Sequence, residues 1–174
     1  MSARPDGPAV VRPRRPHDVP ALVRLLGEQQ AATVYPLRWP LPFPTEQFVV
    51  RTGEQAAWVA EVAGAVAGHV SVSGPEPGDE LTEAVRGMLG HESFALVTVL
   101  FVGLEHAGRG LGGRLLDAAT DWIRAQGRTP VLDVVPTHDR AVGLYLARGW
   151  REIGRLRLAW LPPDGPALRV MTRG

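Results

Sequence analysis

The sequence is that of an α/β protein of the α+β type, and three local patterns carry that expectation. An apolar, β-like run passes through a glycine-rich turn straight into a helix-like stretch, in VTVLFVGLEHAGRGLGGRLL (residues 97–116). Two strand-like runs, residues 57–62 and 65–73, flank Ala63 and Gly64 and read as a β-hairpin, although the turn dipeptide is not ideal. A closing hairpin, residues 155–161 with 168–172, folds around PPDGP.

Between these landmarks the elements follow in order. Residues 1–8 read as a leader and residues 9–13 as a short strand. Asp18 is the expected N-cap of a helix through about Gln30, with Pro20 in its first turn and apolar spacing at Val19, Leu22, Val23, Leu25 and Leu26. YPLRWPLPFP, residues 35–44, combines four prolines with three aromatics, so it forms neither a regular helix nor a central strand and is expected to be a stiff loop. Thr45 is expected to cap a short helix to Arg51.

After the hairpin comes GPEPGDELTEAVRGMLGHES, residues 74–93, a long connection with a short helix at 81–89. A strand at 94–102 leads through the glycine turn to a helix at 110–126, ended by Gly127 as C′ residue. A strand at 131–135, a helix at 139–148 stopped by Gly149, and the closing hairpin complete the order β α α β β (insert) β α β α β β. No repeat and no linker divides the chain, so residues 1–174 are expected to form one domain.

Composition narrows the chemistry. The chain has no cysteine, which removes disulfides, thiolate metal sites and a cysteine nucleophile. Every basic side chain other than histidine is arginine, so neither a Schiff-base lysine nor a phosphate-loop lysine exists here. The formal net charge of +1 comes from interspersed charges and gives no electrostatic footprint for nucleic acid or a membrane surface. No metal is expected. The N-terminal segment lacks an apolar secretory core and no apolar run reaches the length of a membrane span, so the cytoplasm is the expected compartment.

The glycine turn is the chemical landmark. The first turn of a helix carries amides without intrahelical partners at the positive end of the macrodipole, and phosphates bind there. Gly108, Gly110, Gly112 and Gly113 lack the Cβ atoms that would hold a pyrophosphate away, and Arg109 and Arg114 add charge. A dinucleotide fingerprint is formally present in Gly108, Gly110 and Gly113, with Asp133 downstream. The motif stands too late for that reading, because too little chain follows to complete a sheet of about six parallel strands.

VGLEHAGRGLGGRLL resembles the acyl-CoA pyrophosphate motif of the GNAT superfamily of N-acyltransferases, and AVGLYLARGW, residues 141–150, is similar to that family's tyrosine-bearing helix with a following Gly-aromatic pair. Ala107, Gly108, Arg109, Gly110, Leu111 and Gly112 occupy the positions of the motif, with Ala107 in place of arginine or glutamine and Leu104 in place of a proline. His138 stands where the family often has asparagine. The resemblance implies a mixed, mostly antiparallel central sheet of six to seven strands, splayed between the fourth and fifth, with helices on both faces.

It also implies roles. Acetyl-CoA is the expected co-substrate. The backbone of Leu100, Phe101 and Val102 would bond its pantetheine arm, the amides of Gly108, Arg109, Gly110, Leu111, Gly112 and Gly113 its pyrophosphate, and His138 would supply one ring N–H. Tyr145 matches the general acid that protonates the departing thiolate; its ordinary pKa of about 10 lies above a thiol's roughly 8.5, an uphill transfer of about 2 kcal/mol. The strand entering the turn has no carboxylate, which leaves Glu61 or Glu92 as alternatives for the base, beside His91 and direct loss of the proton to water. Tyr35, Arg38, Trp39 and Phe43 are expected to wall the acceptor pocket, and Asp79, Glu80 and Glu83 to attract a cation. The implied activity is acetyl transfer to the primary amine of a small molecule or a peptide, by a monomer or homodimer. The alternatives are a CoA-binding sensor without turnover and an acyltransferase for a larger acyl-CoA.

Overall fold

The computed structural model describes residues 7–174, so the expected leader at 1–8 lies outside the described residues except for its last two positions. Seven strands form one sheet in the order β1-β2-β3-β4-β5-β7-β6: β1 (Ala9–Pro13), β2 (Glu54–Val62), β3 (Ala65–Ser73), β4 (Phe94–Val102), β5 (Thr129–Val134), β6 (Arg151–Leu156) and β7 (Leu168–Thr172). The helices are α1 (Val19–Thr33), α2 (Thr45–Val49), α3 (Glu80–Leu89), α4 (Leu111–Ala125) and α5 (Asp139–Ala147). The order of elements matches the sequence expectation. The chain forms two compact units, one of residues up to Ser73 with Val97–Asp121, the other of Gly74–Leu96 with Trp122–Gly174.

In the first unit β1 pairs antiparallel with β2, and β2 with β3. The hairpin register puts Val62 opposite Ala65, with Ala63 at φ 50° and Gly64 at φ 81°. Positive φ at both central residues is the type I′ geometry that a two-residue hairpin with right-twisted strands demands, and Ala63 accepts it despite its Cβ. The apolar face of α1, Leu22, Leu25 and Leu26, packs with Phe48 and Val49 of α2, Val59 of β2, and Val99 and Phe101 of β4. Each such side chain, wholly removed from water, contributes about 1.5–3 kcal/mol.

Two caps differ from expectation. Asp18 precedes α1 with helical backbone and no side-chain cap bond, because its carboxylate is taken by Arg15 N–H at 2.7 Å and by the Arg12 guanidinium at 2.8 and 2.9 Å. Thr45 lies inside α2 and Pro44 is the residue before it, without a capping bond. At the other end α1 closes on Val34 in the left-handed region, whose N–H donates to Gln30 O at 2.7 Å.

In the second unit Asp79 caps α3, its Oδ2 accepting from Thr82 N–H at 2.9 Å, and Gly90 ends the helix at φ 75°. Val85, Leu81, Met88 and Leu89 of α3 cluster with Phe94 and Leu96 of β4, Val131, Val170 and Ile153. β4 and β5 run parallel, but their register covers only Phe94–Leu96 against Thr129–Val131. From Val131 onward β5 pairs with β7 instead.

The closing hairpin is a correction. The expected strand at 155–161 begins at Arg151, directly after Trp150, and ends at Leu156; the remainder is loop. No residue of β6 is buried and its pairing with β7 slips between Glu152 and Gly154, so it lacks the strict apolar alternation that would have marked it. Gly154 sits where any Cβ would come within 2.6 Å of the Met88 sulfur, which ties the irregularity to packing against α3.

Candidate active site

The glycine turn is built by β4 running out through Gly103, whose N–H donates to Ala67 O at 2.9 Å. A single 3-10 turn, Leu104–His106, follows, and His106 is buried beneath it. Gly108 and Gly110 then take φ 79° and 74°, a conformation that costs a side-chain-bearing residue about 1–2 kcal/mol. Apart from the adjoining residues, nothing among the described residues lies within 4 Å of where a Cβ would stand on either glycine, and both are exposed. Arg114 N–H bonds Gly110 O at 3.2 Å, while the amides of Leu111, Gly112 and Gly113, in the first turn of α4, have no carbonyl four residues back within the helix. Amides without helical partners and left-handed glycines suit a pyrophosphate.

The arginine side chains also make contacts outside the turn. Arg109 Nη2 donates to Gly7 O at 3.3 Å and Arg114 Nη1 to Ala9 O at 2.9 Å, so both side chains clasp the segment entering β1. A bond to a neutral carbonyl leaves each guanidinium its full charge, which adds to the partial charge of the backbone N–H groups; Ala107, in the preceding position, adds none.

Upstream, β4 carries a feature that sequence reasoning missed. Val99 has φ 51° in the interior of a strand, an outlier for a β-branched residue. Its carbonyl accepts a hydrogen bond from His69 Nδ1 at 2.8 Å. His69, on β3, is fully buried, and its Nε2 lies 3.0 Å from Arg14 Nη1, a donor that Glu54 in turn holds in an ion pair. Burial drives the imidazole pKa down to about 4, reinforced by Arg14 and Arg51 and opposed by the Val99 bond. Leu100, Phe101 and Val102 continue from Val99 into the turn, with Phe101 buried and the other two half-buried. The only sequence signal for this arrangement was a histidine inside the apolar run AVAGHVSVS.

The aromatic loop belongs to the same unit. Tyr35 is half-buried, its ring edge-on to Phe48 at 6.0 Å, while Arg38, Trp39 and Phe43 are exposed. Buried Gln29 of α1 donates to the Tyr35 carbonyl and Gln30 to the Pro36 carbonyl at 3.2 Å, so α1 sets the path of the loop. Glu61 on β2 accepts from Arg12 Nε at 2.8 Å and lines an open cleft of about 440 Å³ with Arg12, Arg15 and Arg24. The same Arg12 holds Asp18, and this contact keeps the Asp18 carboxyl down at about 2.

In the second unit Tyr145 is buried on α5, with its ring 6.2 Å from that of Trp150, and the backbone N–H of Trp150 donates to the Tyr145 carbonyl at 3.0 Å. His138 stands just before α5, its own N–H on Val135 O and its carbonyl accepting from Val142, both at 3.0 Å. Glu92 is exposed and lies 3.1 Å from Arg86 Nε. His91 Nδ1 accepts from Ser93 N–H at 3.2 Å. Of the acidic trio expected to attract a cation, Asp79 caps α3, Glu83 pairs with Arg86 and Glu80 accepts from Ala159 N–H at 3.3 Å. Among the described residues no group of three His, Asp or Glu side chains is arranged to hold a metal ion, and no helix is long and apolar enough to cross a membrane.

Residues 22–150 match the profile described as the Acetyltransferase (GNAT) family. No curated protein sequence matches the chain. Among solved structures, a GNAT-family acetyltransferase from Streptococcus pneumoniae superposes with a TM-score of 0.71 at 21% identity, over 95% of this chain and 99% of that one. A GCN5-related N-acetyltransferase from Kribbella flavida gives 0.68 at 24% identity, over 95% and 96% of the two chains. Arabidopsis thaliana NAA60, solved in complex with acetyl-CoA, gives 0.65 at 19% identity, over 95% and 97%.

Proposed function

Because the chain belongs to the GNAT family of acetyltransferases, we propose that it moves the acetyl group of acetyl-CoA to the primary amine of a small molecule or a peptide by direct attack of the amine on the thioester. The observation that carries this reading is the course of β4 through Val99 into an exposed, left-handed glycine turn at the start of the fifteen-residue α4. The amides from Gly108 to Gly113 hold the pyrophosphate, the backbone of Leu100, Phe101 and Val102 holds the pantetheine arm, and a ring N–H of His138 adds a contact. Arg109 and Arg114 keep their charge while bonded to Gly7 and Ala9, so the backbone dipoles grip the phosphates beside two cationic side chains.

Tyr145 gives its phenolic proton to the departing thiolate. The amine loses its proton to Glu61 or Glu92, directly or through water; each carboxylate already faces an arginine, so a water relay needs the smaller rearrangement. Tyr35, Arg38, Trp39 and Phe43 bound the acceptor, and their exposed aromatic surface favours an amine with an apolar body. The reading takes residues 1–174 as one domain acting in the cytoplasm as a monomer or homodimer.

The test is thiol release from acetyl-CoA across a panel of polyamines, arylalkylamines and short peptides with free N-termini. Amine-dependent release that falls about a hundredfold in Tyr145→Phe supports the assignment. Binding of acetyl-CoA without release on any amine would favour a sensor, and full activity in Tyr145→Phe would remove the tyrosine from the mechanism.

A further inference from the structure

A histidine in the centre of an apolar strand needs a reason. His69 is fully buried between Gly68 and Val70, where an aliphatic side chain would pack without polar groups to satisfy. Both ring nitrogens are nevertheless used. The Val99 carbonyl can only accept and the Arg14 guanidinium can only donate, so the two contacts independently require the same neutral tautomer, with the proton on Nδ1. Glu54 fixes Arg14, and the chain Glu54–Arg14–His69 ends on the carbonyl of the one strained residue in β4.

The consequence lies in the next peptide group. A trans peptide is planar with its C=O and N–H antiparallel, so the Leu100 N–H points away from His69. β4 has left its parallel register with β5 after Leu96, four residues earlier. Left-handed backbone at a valine is costly, and such strain persists where the surroundings over-determine it. Here the determinant is visible: a hydrogen bond reaching from position 69 to position 99.

We propose that His69 is a positioning residue for acyl transfer: its Nδ1–H holds the Val99 carbonyl and so presents the Leu100 N–H as the donor that polarises the thioester carbonyl of acetyl-CoA. This rests on the acetyltransferase reading above. A donor fixed in advance where negative charge develops stabilises that charge without reorganising during the reaction. The roles of Arg14 and Glu54 are to select the tautomer and hold the ring in place. Asparagine at position 69 places an amide N–H near the position of Nδ1, whereas phenylalanine fills the space with no donor.

The carbonyl stretch of acetyl-CoA labelled with ¹³C at the acetyl carbonyl, measured by infrared difference spectroscopy on the complex, reads this polarisation without needing the acceptor. The expected result is a stretch below that of free acetyl-CoA in the unsubstituted protein, retained in His69→Asn and returned towards the free value in His69→Phe, with the affinity for acetyl-CoA changed less than about threefold. The same lowered stretch in His69→Phe would overturn the proposal while leaving the acetyltransferase reading intact. Absence of any acetyl-CoA binding by the unsubstituted protein would overturn both. Should His69→Phe not fold, ¹⁵N spectra of the unsubstituted protein at pH 7 decide: a neutral ring protonated on Nδ1 is expected, and a ring protonated on Nε2 or on both nitrogens refutes the proposal.

Discussion

Acidification should weaken this fold through His69, and the size of the effect follows from its surroundings. The ring is buried against Phe101 at 5.8 Å and faces Arg14 from the segment after β1 and Arg51 from the segment after α2; the one acid in the network, Glu54 of β2, is committed to Arg14. Burial lowers the pKa from 6.5 to about 4. Between these values the unfolded chain binds a proton that the folded one refuses, so stability is full above pH 6.5 and falls as the pH drops towards 4. The linkage relation gives a loss of about 1.4 kcal/mol at pH 5.5 and about 2.5 kcal/mol at pH 4.5. Carboxylates titrate in the lower part of the same window, so the comparison is with His69→Asn, which cannot take up the proton. Urea unfolding at pH 7, 5.5 and 4.5 should show the gap between the two proteins narrowing by those amounts as the pH falls. A gap that stays constant from pH 7 to 4.5 would refute the assignment of a buried, neutral His69.

Asp18→Asn removes the charge that Arg12 and Arg15 N–H share and should cost about 2 kcal/mol at pH 7, read as a lower urea midpoint; Asp18's contribution is present above its ordinary pKa of 3.8 and lost as the pH falls through about 2. An unchanged midpoint would contradict a structural role for that contact. Gly110→Ala places a Cβ on a residue at φ 74° and should weaken acetyl-CoA binding by about tenfold, measured by calorimetry, as the turn relaxes to avoid a strain of about 1–2 kcal/mol. Equal affinity would mean that the turn conformation is not used. Tyr145→Phe should retain acetyl-CoA affinity and lose about a hundredfold in kcat; loss of affinity with kcat preserved would point to a binding role.

Much of the architecture was legible because it rests on local rules. The two runs around Ala63-Gly64 have the spacing of a two-residue hairpin, and the structure forms that turn even with alanine in the left-handed region. Gly90, Gly127 and Gly149 end helices at positive φ, as helix C′ residues do. The parts that escaped depend on distant partners. Nothing in VTVLFV marks Val99 as strained, because the group that holds its carbonyl is thirty residues away on β3. Asp18 had the residue type and position of a cap, yet a guanidinium six residues earlier competes for the carboxylate more strongly than the helix amides do. The contacts of Arg109 and Arg114 with the carbonyls of Gly7 and Ala9 likewise join positions about a hundred residues apart, which no local spacing announces. β6 lacked a signal because a strand with no buried residue carries little alternation.

The claim on which the rest depends is that the glycine turn serves acetyl-CoA. A ligand that binds the folded state alone raises the melting temperature by mass action: at about a hundred times its Kd it adds about 2.7 kcal/mol, or about 5 to 10 °C for a chain of this length. The measurement is a thermal melt with acetyl-CoA raised to about 1 mM, beside an equal concentration of acetyl-pantetheine, which lacks the pyrophosphate. A rise of several degrees with acetyl-CoA and a much smaller one with acetyl-pantetheine is the expected result. An unchanged melting temperature with acetyl-CoA at that concentration would contradict it.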